Sequence, residues 1–268
     1  MKLEGKRVLI TGGSSGIGKA LARSLLIKGA RVVISGRRAD VLASAAQELQ
    51  RLSPSVWSVA ANVATTPGRR ATVKRTISAL GGLDILVNNA GGVRAGRLEK
   101  TSEAELRAMI EVDLIAPVLL TRAVLPVLRE SGDAMIVNIA SVAALVGMPF
   151  YATYGGAKAG VARFGEGLRR ELKGEGVHVL NVFPAGTDTP MMKSNRAGPE
   201  LGFSLESAEA VATAMVEAME ANALEVIRGD EARKQMVALN QSNPAAIDER
   251  MVGLKPALEE AVQDHSAL

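Results

Sequence analysis

Short apolar runs alternate with longer amphipathic stretches along the first 230 residues of the chain. The short runs are rich in β-branched residues, which is typical of buried strands, and the stretches between them repeat apolar side chains at helical spacing. The predicted strands are Arg7–Thr11, Arg31–Ser35, Val56–Ala60, Leu83–Asn88, Ala134–Ala140, Val177–Val182 and Leu224–Ile227; the predicted helices are Gly16–Lys28, Ala39–Leu52, Pro67–Leu80, Ser102–Arg129, Ala152–Lys173 and Ser207–Ala221.

This alternation predicts the fold class. Strands that alternate with helices form right-handed βαβ units and a parallel sheet covered on both faces. We therefore expect an α/β protein with a doubly wound, Rossmann-type parallel sheet, which binds its ligands at the carboxyl ends of the strands. The expected organisation is a single dinucleotide-binding and catalytic domain over residues 1–229, followed by a helical C-terminal extension over residues 230–268.

Composition and charge narrow the possible functions. The 268 residues are 47% hydrophobic and 22% charged, which suits a globular protein with one sizeable core. The net charge of +4 is spread along the chain and aromatic residues make up only 3%, so no nucleic-acid surface is indicated. The longest uncharged stretch, residues 134–157, is interrupted by polar residues and glycines. We expect no membrane span and no signal peptide, and hence a cytoplasmic protein.

Thiol and metal chemistry are not indicated. The chain has no cysteine, which excludes disulfides and thiolate catalysis. Its two histidines, His178 and His265, are far apart and belong to no ligand-spaced cluster, so no metal site is expected.

A glycine-rich loop follows the first predicted strand and leads directly into a helix. Gly12 permits a tight turn, Gly16 allows the backbone to approach a pyrophosphate, and Gly18 lets the helix pack on the strand. The N-terminus of the helix presents unpaired N–H groups to an anion. The alternative is a glycine-rich turn without a ligand. The expected phosphate contacts are Gly12, Ser14, Ser15, Gly16, Ile17 and Gly18.

Together with this loop, four further segments resemble the short-chain dehydrogenase/reductase family. They are the Asn-Asn-Ala-Gly motif at Asn88–Gly91, Ser141 at thirteen residues before Tyr154, the Tyr-x-x-x-Lys motif at Tyr154–Lys158, and a segment at Pro184–Thr189 similar to the family's Pro-Gly-x-x-x-Thr. The resemblance covers residues 5–190 and implies a nicotinamide-dependent oxidoreductase. It also implies cofactor contacts at Val63, Asn89, Ala90, Gly91, Tyr154, Lys158, Pro184, Gly186, Thr187 and Thr189.

The chemistry of the Tyr-Lys pair follows from its spacing. Tyr154 and Lys158 lie four residues apart on one face of a predicted helix. An ammonium group beside a phenol favours the phenolate, so we expect Lys158 to lower the pKa of Tyr154 from about 10. Tyr154 then acts as acid or base while Ser141 holds the substrate oxygen. The resemblance adds that Lys158 binds the nicotinamide ribose. The alternative is an ordinary solvated pair on a helix surface.

Two positions depart from the family pattern. Asp113 stands where the family has an asparagine that holds a water molecule near the lysine. A carboxylate there can accept hydrogen bonds from that water and from a backbone N–H, and its charge can pull on Lys158. We group Asp113 with the catalytic residues without assigning its role. Ala185 replaces a glycine and trims space near the nicotinamide.

The segment after the second strand favours NADP(H) over NAD(H). No carboxylate is available there for a ribose diol, whereas Arg37 and Arg38 can bind a 2'-phosphate with Ser35 as an additional donor. The alternative is that both arginines face only solvent. Asn62 replaces an aspartate that the family often uses at the adenine.

The substrate pocket is expected between Gly92–Arg94, Val142–Phe150 and a lid-like segment, Thr189–Met192. These segments are largely apolar, and Arg94 is expected to meet either an anionic substrate group or solvent. The sequence thus predicts an NADP(H)-preferring oxidoreductase that interconverts a secondary alcohol and a ketone on a partly apolar substrate. The alternatives are a catalytically idle binding or regulatory relative, and a lyase or epimerase. The resemblance implies that the long fourth and fifth helices pair across a two-fold axis, and the apolar residues around much of their circumference agree with this, so a homodimer or homotetramer is expected.

Overall fold

A single seven-stranded sheet forms the centre of the molecule. The computed structural model describes all 268 residues. The strands are β1 (Arg7–Thr11), β2 (Arg31–Gly36), β3 (Val56–Ala60), β4 (Ile85–Asn88), β5 (Ala134–Ile139), β6 (Val177–Phe183), β7 (Thr187–Asp188), β8 (Glu206–Ser207) and β9 (Glu225–Ile227). All except β7 and β8 belong to the large sheet, in the order β3-β2-β1-β4-β5-β6-β9, and every pair is parallel.

Helices cover both faces of this sheet. They are α1 (Gly16–Ile27), α2 (Ala39–Gln50), α3 (Thr66–Leu80), α4 (Glu103–Ile110), α5 (Ala116–Ser131), α6 (Ala152–Glu171), α7 (Ala208–Glu220), α8 (Glu231–Ser242) and α9 (Pro244–Val262). The Rossmann-type, doubly wound fold is confirmed, and the bounds of every predicted element except the helix Ser102–Arg129 agree with the structure to within two residues.

Period-two alternation along the strands builds two separate cores. In β1, Val8 and Ile10 point to one face and pack in a core with α1, α2 and α7. Leu9, between them, packs on the opposite face in a core with α3, α5 and α6. Because both faces are buried, the strands are continuous apolar runs, as expected for a parallel sheet.

The strand order reverses next to β1, which pairs with β2 on one side and with β4 on the other. The loops after β1 and β4 therefore leave the sheet in opposite directions and open a crevice at its carboxyl edge. This crevice holds the candidate site.

The prediction of a single long helix over Ser102–Arg129 is wrong in one respect. A π-helical turn, Glu111–Ile115, separates α4 from α5. Pro117 lies at the start of α5 and has no N–H to donate to the carbonyl four residues earlier, so the regular pattern cannot run through this point. The wider turn carries Asp113, which is buried.

Residues 230–268 form two helices and a short final segment that pack beside the crevice. Met236 and Met251 pack with Val146, and Leu258 packs with Tyr151. The helical C-terminal extension is therefore present, and its separation from residues 1–229 as a unit stays a prediction. None of the nine helices combines the length and apolar character needed to cross a lipid bilayer.

Candidate active site

The glycine-rich turn is held against the end of β4 by close backbone packing. The Thr11 hydroxyl accepts hydrogen bonds from the backbone N–H groups of Asn89 and Ala90, each at 3.0 Å. Gly12 has a φ of 67°, and a Cβ there would lie 2.9 Å from the Cα of Ala90. The Asn89 side chain donates to the carbonyl of Gly12 at 3.1 Å, so it fixes the turn that it faces.

The N-terminus of α1 opens towards the crevice. Its N-cap, Ser15, makes no side-chain capping bond, and the first turn contains no acidic residue. The leading N–H groups of the helix thus have no side-chain partner and carry the positive end of the helix dipole. This arrangement suits an anionic group such as a pyrophosphate.

The end of β2 adds a second polar region to the crevice. The Ser35 hydroxyl is fully buried and has no hydrogen-bond partner. Arg37 and Arg38 are exposed, and neither forms an ion pair with an acidic residue. An orphaned hydroxyl beside two unpaired guanidinium groups fits a phosphorylated ribose. The crevice as a whole therefore fits a nicotinamide dinucleotide.

Ser141 and Tyr154 meet Lys158 at the other end of the crevice. Ser141 follows β5, and its oxygen accepts the N–H of Ala143 at 3.2 Å, which leaves the hydroxyl hydrogen free to donate. Tyr154 and Lys158 lie on one face of α6, with the Lys158 Nζ 5.8 Å from the centre of the Tyr154 ring. Lys158 is 5% exposed and donates to the carbonyl of Ile139 at 3.0 Å.

Asp113 forms a direct ion pair with Lys158. Its Oδ1 lies 3.0 Å from the Lys158 Nζ, and it accepts the backbone N–H of Gly92 at 3.3 Å. The π-helical turn places this carboxylate behind the crevice, where its side chain is fully buried. Asp113 thus acts on Lys158 rather than on a molecule in the crevice.

The ionisation of Tyr154 differs from the expectation. Burial raises the pKa of Tyr154 above its ordinary value. Lys158 lowers that pKa and Asp113 raises it, so the carboxylate offsets part of the ammonium's effect. Lys158 lowers the pKa as predicted, but this effect is outweighed, because desolvation and the Asp113 charge both favour the neutral phenol. Tyr154 therefore stays protonated near neutral pH.

Lys158 and Asp113 form a buried ion pair in which each group shifts the pKa of the other. Burial lowers the pKa of Lys158, but the Asp113 carboxylate and the hydrogen bond to it raise that pKa above the usual value. For Asp113, burial raises the pKa above its usual value, and Lys158 offsets only part of that rise. A buried ammonium ion needs such a partner, since isolated charges are costly away from water.

A cavity of about 670 Å³ joins these regions, within the range typical of ligand sites. Of the predicted site residues, Gly18 and Asp113 lie behind its wall. The others line it: Gly12, Ser14, Ser15, Gly16, Ile17, Arg37, Arg38, Asn62, Val63, Asn89, Ala90, Gly91, Ser141, Tyr154, Lys158, Pro184, Gly186, Thr187 and Thr189.

Arg94 does not have either of the two roles expected of it. It pairs with Glu105 at 3.0 Å and donates to the carbonyl of Gln263 at 2.8 Å, it does not line the cavity, and its side chain is only 20% exposed. A charged loop residue gives no signal in the sequence of which distant partner it will find.

Several cavity residues could not be identified from the sequence. Tyr151, Phe203 and Arg233 line the cavity, as do His265 to Leu268 near the C-terminus. None of these residues belongs to a recognisable motif. The residues from 203 to 268 also lie beyond the part of the chain that the resemblance covers. Only the apolar character of Tyr151 and Phe203 offered a signal, and it is shared by any core residue.

A Rossmann-type sheet with a dinucleotide crevice and a Ser-Tyr-Lys group defines an NAD(P)-dependent oxidoreductase that acts on CH–OH groups and carbonyls. The sequence profile described as short chain dehydrogenase matches residues 6–200. The chain belongs to the short-chain dehydrogenase family.

Similar proteins whose names state a reductase activity support the assignment to this family. The ketoacyl reductase HetN of Nostoc sp. is 32% identical over 92% of this chain and 88% of its own. The 3-oxoacyl-[acyl-carrier-protein] reductase FabG of Vibrio cholerae is 36% identical over 72% of this chain and 78% of its own. The crystal structure of the 3-ketoacyl-(acyl-carrier-protein) reductase from Brucella melitensis complexed with NADH superimposes with a TM-score of 0.79 at 27% identity, covering 86% of this chain and 99% of that one.

Proposed function

We propose that the protein is an NADPH-preferring reductase of 3-ketoacyl thioesters, and that Ser141, Tyr154 and Lys158 perform the reduction. The observation that carries this proposal is the placement of a protonated Tyr154 in one cavity with Ser141 and with the unpaired arginines of the β2 end. A reductase needs a proton donor at the carbonyl oxygen, and a neutral phenol is suited to that task.

Each residue has a distinct role in this proposal. The Ser141 hydroxyl donates a hydrogen bond to the substrate carbonyl oxygen, and Tyr154 transfers its proton to that oxygen as negative charge develops on it. Lys158 uses one N–H on the Ile139 carbonyl and one on Asp113, which leaves a third for the ribose hydroxyls. A bound nicotinamide nucleotide supplies the hydride in this class of enzyme.

The preference for NADPH rests on the end of β2. Arg37 and Arg38 have no acidic partner, and no carboxylate follows the strand to accept a ribose diol. A 2'-phosphate would meet two guanidinium groups and the Ser35 hydroxyl, which is otherwise an unsatisfied buried group.

The substrate class rests on the cavity wall and on the relatives. Three relatives bear names that specify ketoacyl or oxoacyl reduction. In this chain, Met148, Met191 and Phe203 belong to the same apolar cluster as Tyr154, and Met192 also lines the cavity. Flexible thioether side chains adapt to apolar ligands of different shape, which suits an acyl chain.

We also propose a homodimer or homotetramer in the cytoplasm. Ile110 and Ile115 beside the π-helical turn are each at least 36% exposed, as are Leu224 and Ile227 at the edge strand β9. Such apolar side chains gain stability when a second copy covers them. Light scattering at micromolar concentration tests the assembly, and cell fractionation tests the location.

A spectrophotometric assay tests the proposed function. NADPH or NADH oxidation is followed with acetoacetyl and 3-ketodecanoyl thioesters of N-acetylcysteamine, with simple ketones as the comparison. We expect the thioesters to be reduced with the higher kcat/KM, and NADPH to exceed NADH. A protein that binds NADPH and reduces no carbonyl compound would instead be a binding or regulatory member of the family.

A further inference from the structure

The end of the extension pairs with the loop that follows β4. The backbone N–H of Ala95 donates to the carbonyl of His265 at 2.9 Å, and the N–H of Ala267 donates to the carbonyl of Val93 at 2.8 Å. These bonds form an antiparallel bridge around Arg94 and Ser266. The segment His265–Leu268, called the closing segment below, is thus held in place by a single antiparallel bridge.

The closing segment also holds the lid-like part of the chain. Ser194 ends the short helix Pro190–Ser194, whose Met191 and Met192 line the cavity. Its hydroxyl lies 3.1 Å from the Nδ1 of His265 and accepts the N–H of Ser266 at 3.2 Å. His265 is 1% exposed, so its side of this connection is buried, whereas Ser266 is exposed.

Leu268 lies directly over the loop beside the catalytic ion pair. A Cβ built on Gly92 would be 3.0 Å from the Cδ2 of Leu268 and 3.5 Å from the Cγ1 of Val112. The N–H of the same Gly92 binds Asp113, which pairs with Lys158. The Leu268 side chain therefore forms part of the cavity wall, and only Gly92 separates it from the Lys158–Asp113 pair.

We propose that the closing segment is the specificity-determining wall of the substrate pocket, in which Leu268 limits the length of the acyl group and shields the reacting end of the cavity from solvent. The acyl part of this proposal rests on the proposed function. Neither Leu268 nor Ser194 takes part in the chemistry, and both act on the shape of the space beside Tyr154.

Two measurements on Leu268→Ala test the proposal. The first is the ratio of kcat/KM for 3-ketodecanoyl to acetoacetyl thioester. Because a few methylene groups in an apolar pocket change discrimination by about tenfold or more, we expect this ratio to rise by at least about tenfold. The second is the quenching by acrylamide of the fluorescence of bound NADPH, which requires no turnover. We expect Leu268→Ala to increase it.

Matched variants separate the wall from general loosening. Leu268→Met keeps the side-chain volume and should retain the wild-type ratio and quenching. Val252→Ala removes an apolar side chain from α9 that is 72% exposed, and it should change neither. Ser194→Ala, which frees the closing segment from the short helix, should change quenching in the same direction as Leu268→Ala.

Unchanged quenching in Leu268→Ala would overturn the proposal, as would an unchanged ratio in a wild type that reduces both thioesters. If wild type reduces neither thioester, the proposed function fails. The quenching experiment then still tests whether Leu268 shields the cavity from solvent, independently of the substrate.

Discussion

At the scale of single residues, the balance of charges around Tyr154 determines what it can do. Lys158 favours the phenolate, while burial and Asp113 favour the phenol, and the net effect raises the pKa of Tyr154. A phenol that keeps its proton near neutral pH can donate that proton to the oxygen of a carbonyl group as it is reduced, so the site is suited to reduction. Asp113 therefore favours the protonated form of Tyr154, although it does not line the cavity itself.

Replacing Asp113 by asparagine tests this role. The Asp113→Asn variant removes a charge that raises the pKa of Tyr154, so that pKa should fall. In profiles of kcat/KM for ketone reduction, the alkaline decline should begin at a lower pH than in wild type. Turnover at neutral pH should stay within about tenfold, because an amide oxygen can still accept from Lys158. An unchanged alkaline limb, or a large loss of rate at neutral pH, would mean that the carboxylate has another task.

The Arg37→Asp variant tests cofactor selection. It exchanges a phosphate partner for a repelling charge, so NADPH affinity should fall by about tenfold to a hundredfold, while NADH is affected little. The ratio of kcat/KM values for the two cofactors measures the change. Arg107→Asp on α4, where the side chain is 78% exposed, alters the net charge equally and should leave the ratio as it is. A ratio that does not move would show Arg37 to be a bystander.

The residues that the sequence predicted best are those whose spacing is fixed by one element. Tyr154 and Lys158 share a helix face, and Ser141 follows β5, whose neighbour β6 packs on that helix. The contacts of Arg94 and the pKa of Tyr154 could not be predicted in this way. Both depend on partners that are distant in the sequence, and a motif does not state the burial of its own side chains.

At the scale of elements, a ladder of buried amides positions the catalytic helix. Asn88, Asn138 and Asn181 lie side by side on β4, β5 and β6. The Asn88 side chain donates to that of Asn138 at 2.9 Å, and Asn181 donates to the Ala162 carbonyl of α6 at 2.9 Å. Because each amide depends on the next, the ladder fixes the height of α6 above the sheet.

The Gly165→Ala variant tests this packing. A Cβ at Gly165 would lie 2.2 Å from the Asn181 Oδ1 and 2.7 Å from the Asn138 Nδ2. The helix has to move away or the amide ladder has to break, which should destabilise the fold by about 1–3 kcal/mol and lower kcat more than NADPH affinity. Urea unfolding and NADPH titration measure the two effects. Gly167→Ala, whose Cβ would meet nothing within 4 Å on the same helix, should be neutral or stabilising.

Periodicity predicted the strands and helices well because their apolar faces are long. The π-helical turn Glu111–Ile115 was not predicted, since the apolar spacing continues across it and only Pro117 signals the change. The closing segment was not predicted either. Four residues have no measurable period, and their backbone partners, Val93 and Ala95, lie about 170 residues earlier in the chain.

At the scale of the whole molecule, the buried His265 couples stability to pH. Burial, with Arg94 adding to it, lowers the pKa of His265 to about 4 from its usual 6.5. Between these values the unfolded chain binds a proton that the folded chain does not, so stability falls as pH decreases through this window. Above this pH window, His265 is neutral in both the folded and the unfolded chain, and its contribution to stability no longer changes with pH.

The prediction for His265 is a difference between pH profiles. The urea midpoint of wild type should fall between pH 6.5 and pH 4 more steeply than that of His265→Gln, which cannot take up a proton. His178→Gln serves as the control, because the other histidine packs far from the closing segment, against the Ala223 carbonyl. Parallel profiles for wild type and His265→Gln would contradict the assignment of the buried neutral imidazole.

The central claim is that Tyr154 supplies the proton for carbonyl reduction, and the chain offers a close control because it contains only two tyrosines. Tyr154→Phe removes one hydroxyl from the cavity, and Tyr151→Phe removes the other, which accepts a hydrogen bond from Asn195 at 3.0 Å. Both variants keep the glycine-rich turn, Arg37 and Lys158, so NADPH should bind both as tightly as it binds wild type.

The decisive measurement is kcat for thioester reduction in these two variants, with NADPH affinity measured by fluorescence titration. Because general acid catalysis supplies about a hundredfold to ten-thousandfold, Tyr154→Phe should lose at least that much. Tyr151→Phe should lose no more than about tenfold, the effect of one ordinary hydrogen bond. Equal rates in Tyr154→Phe and wild type would remove Tyr154 from the mechanism and contradict the account.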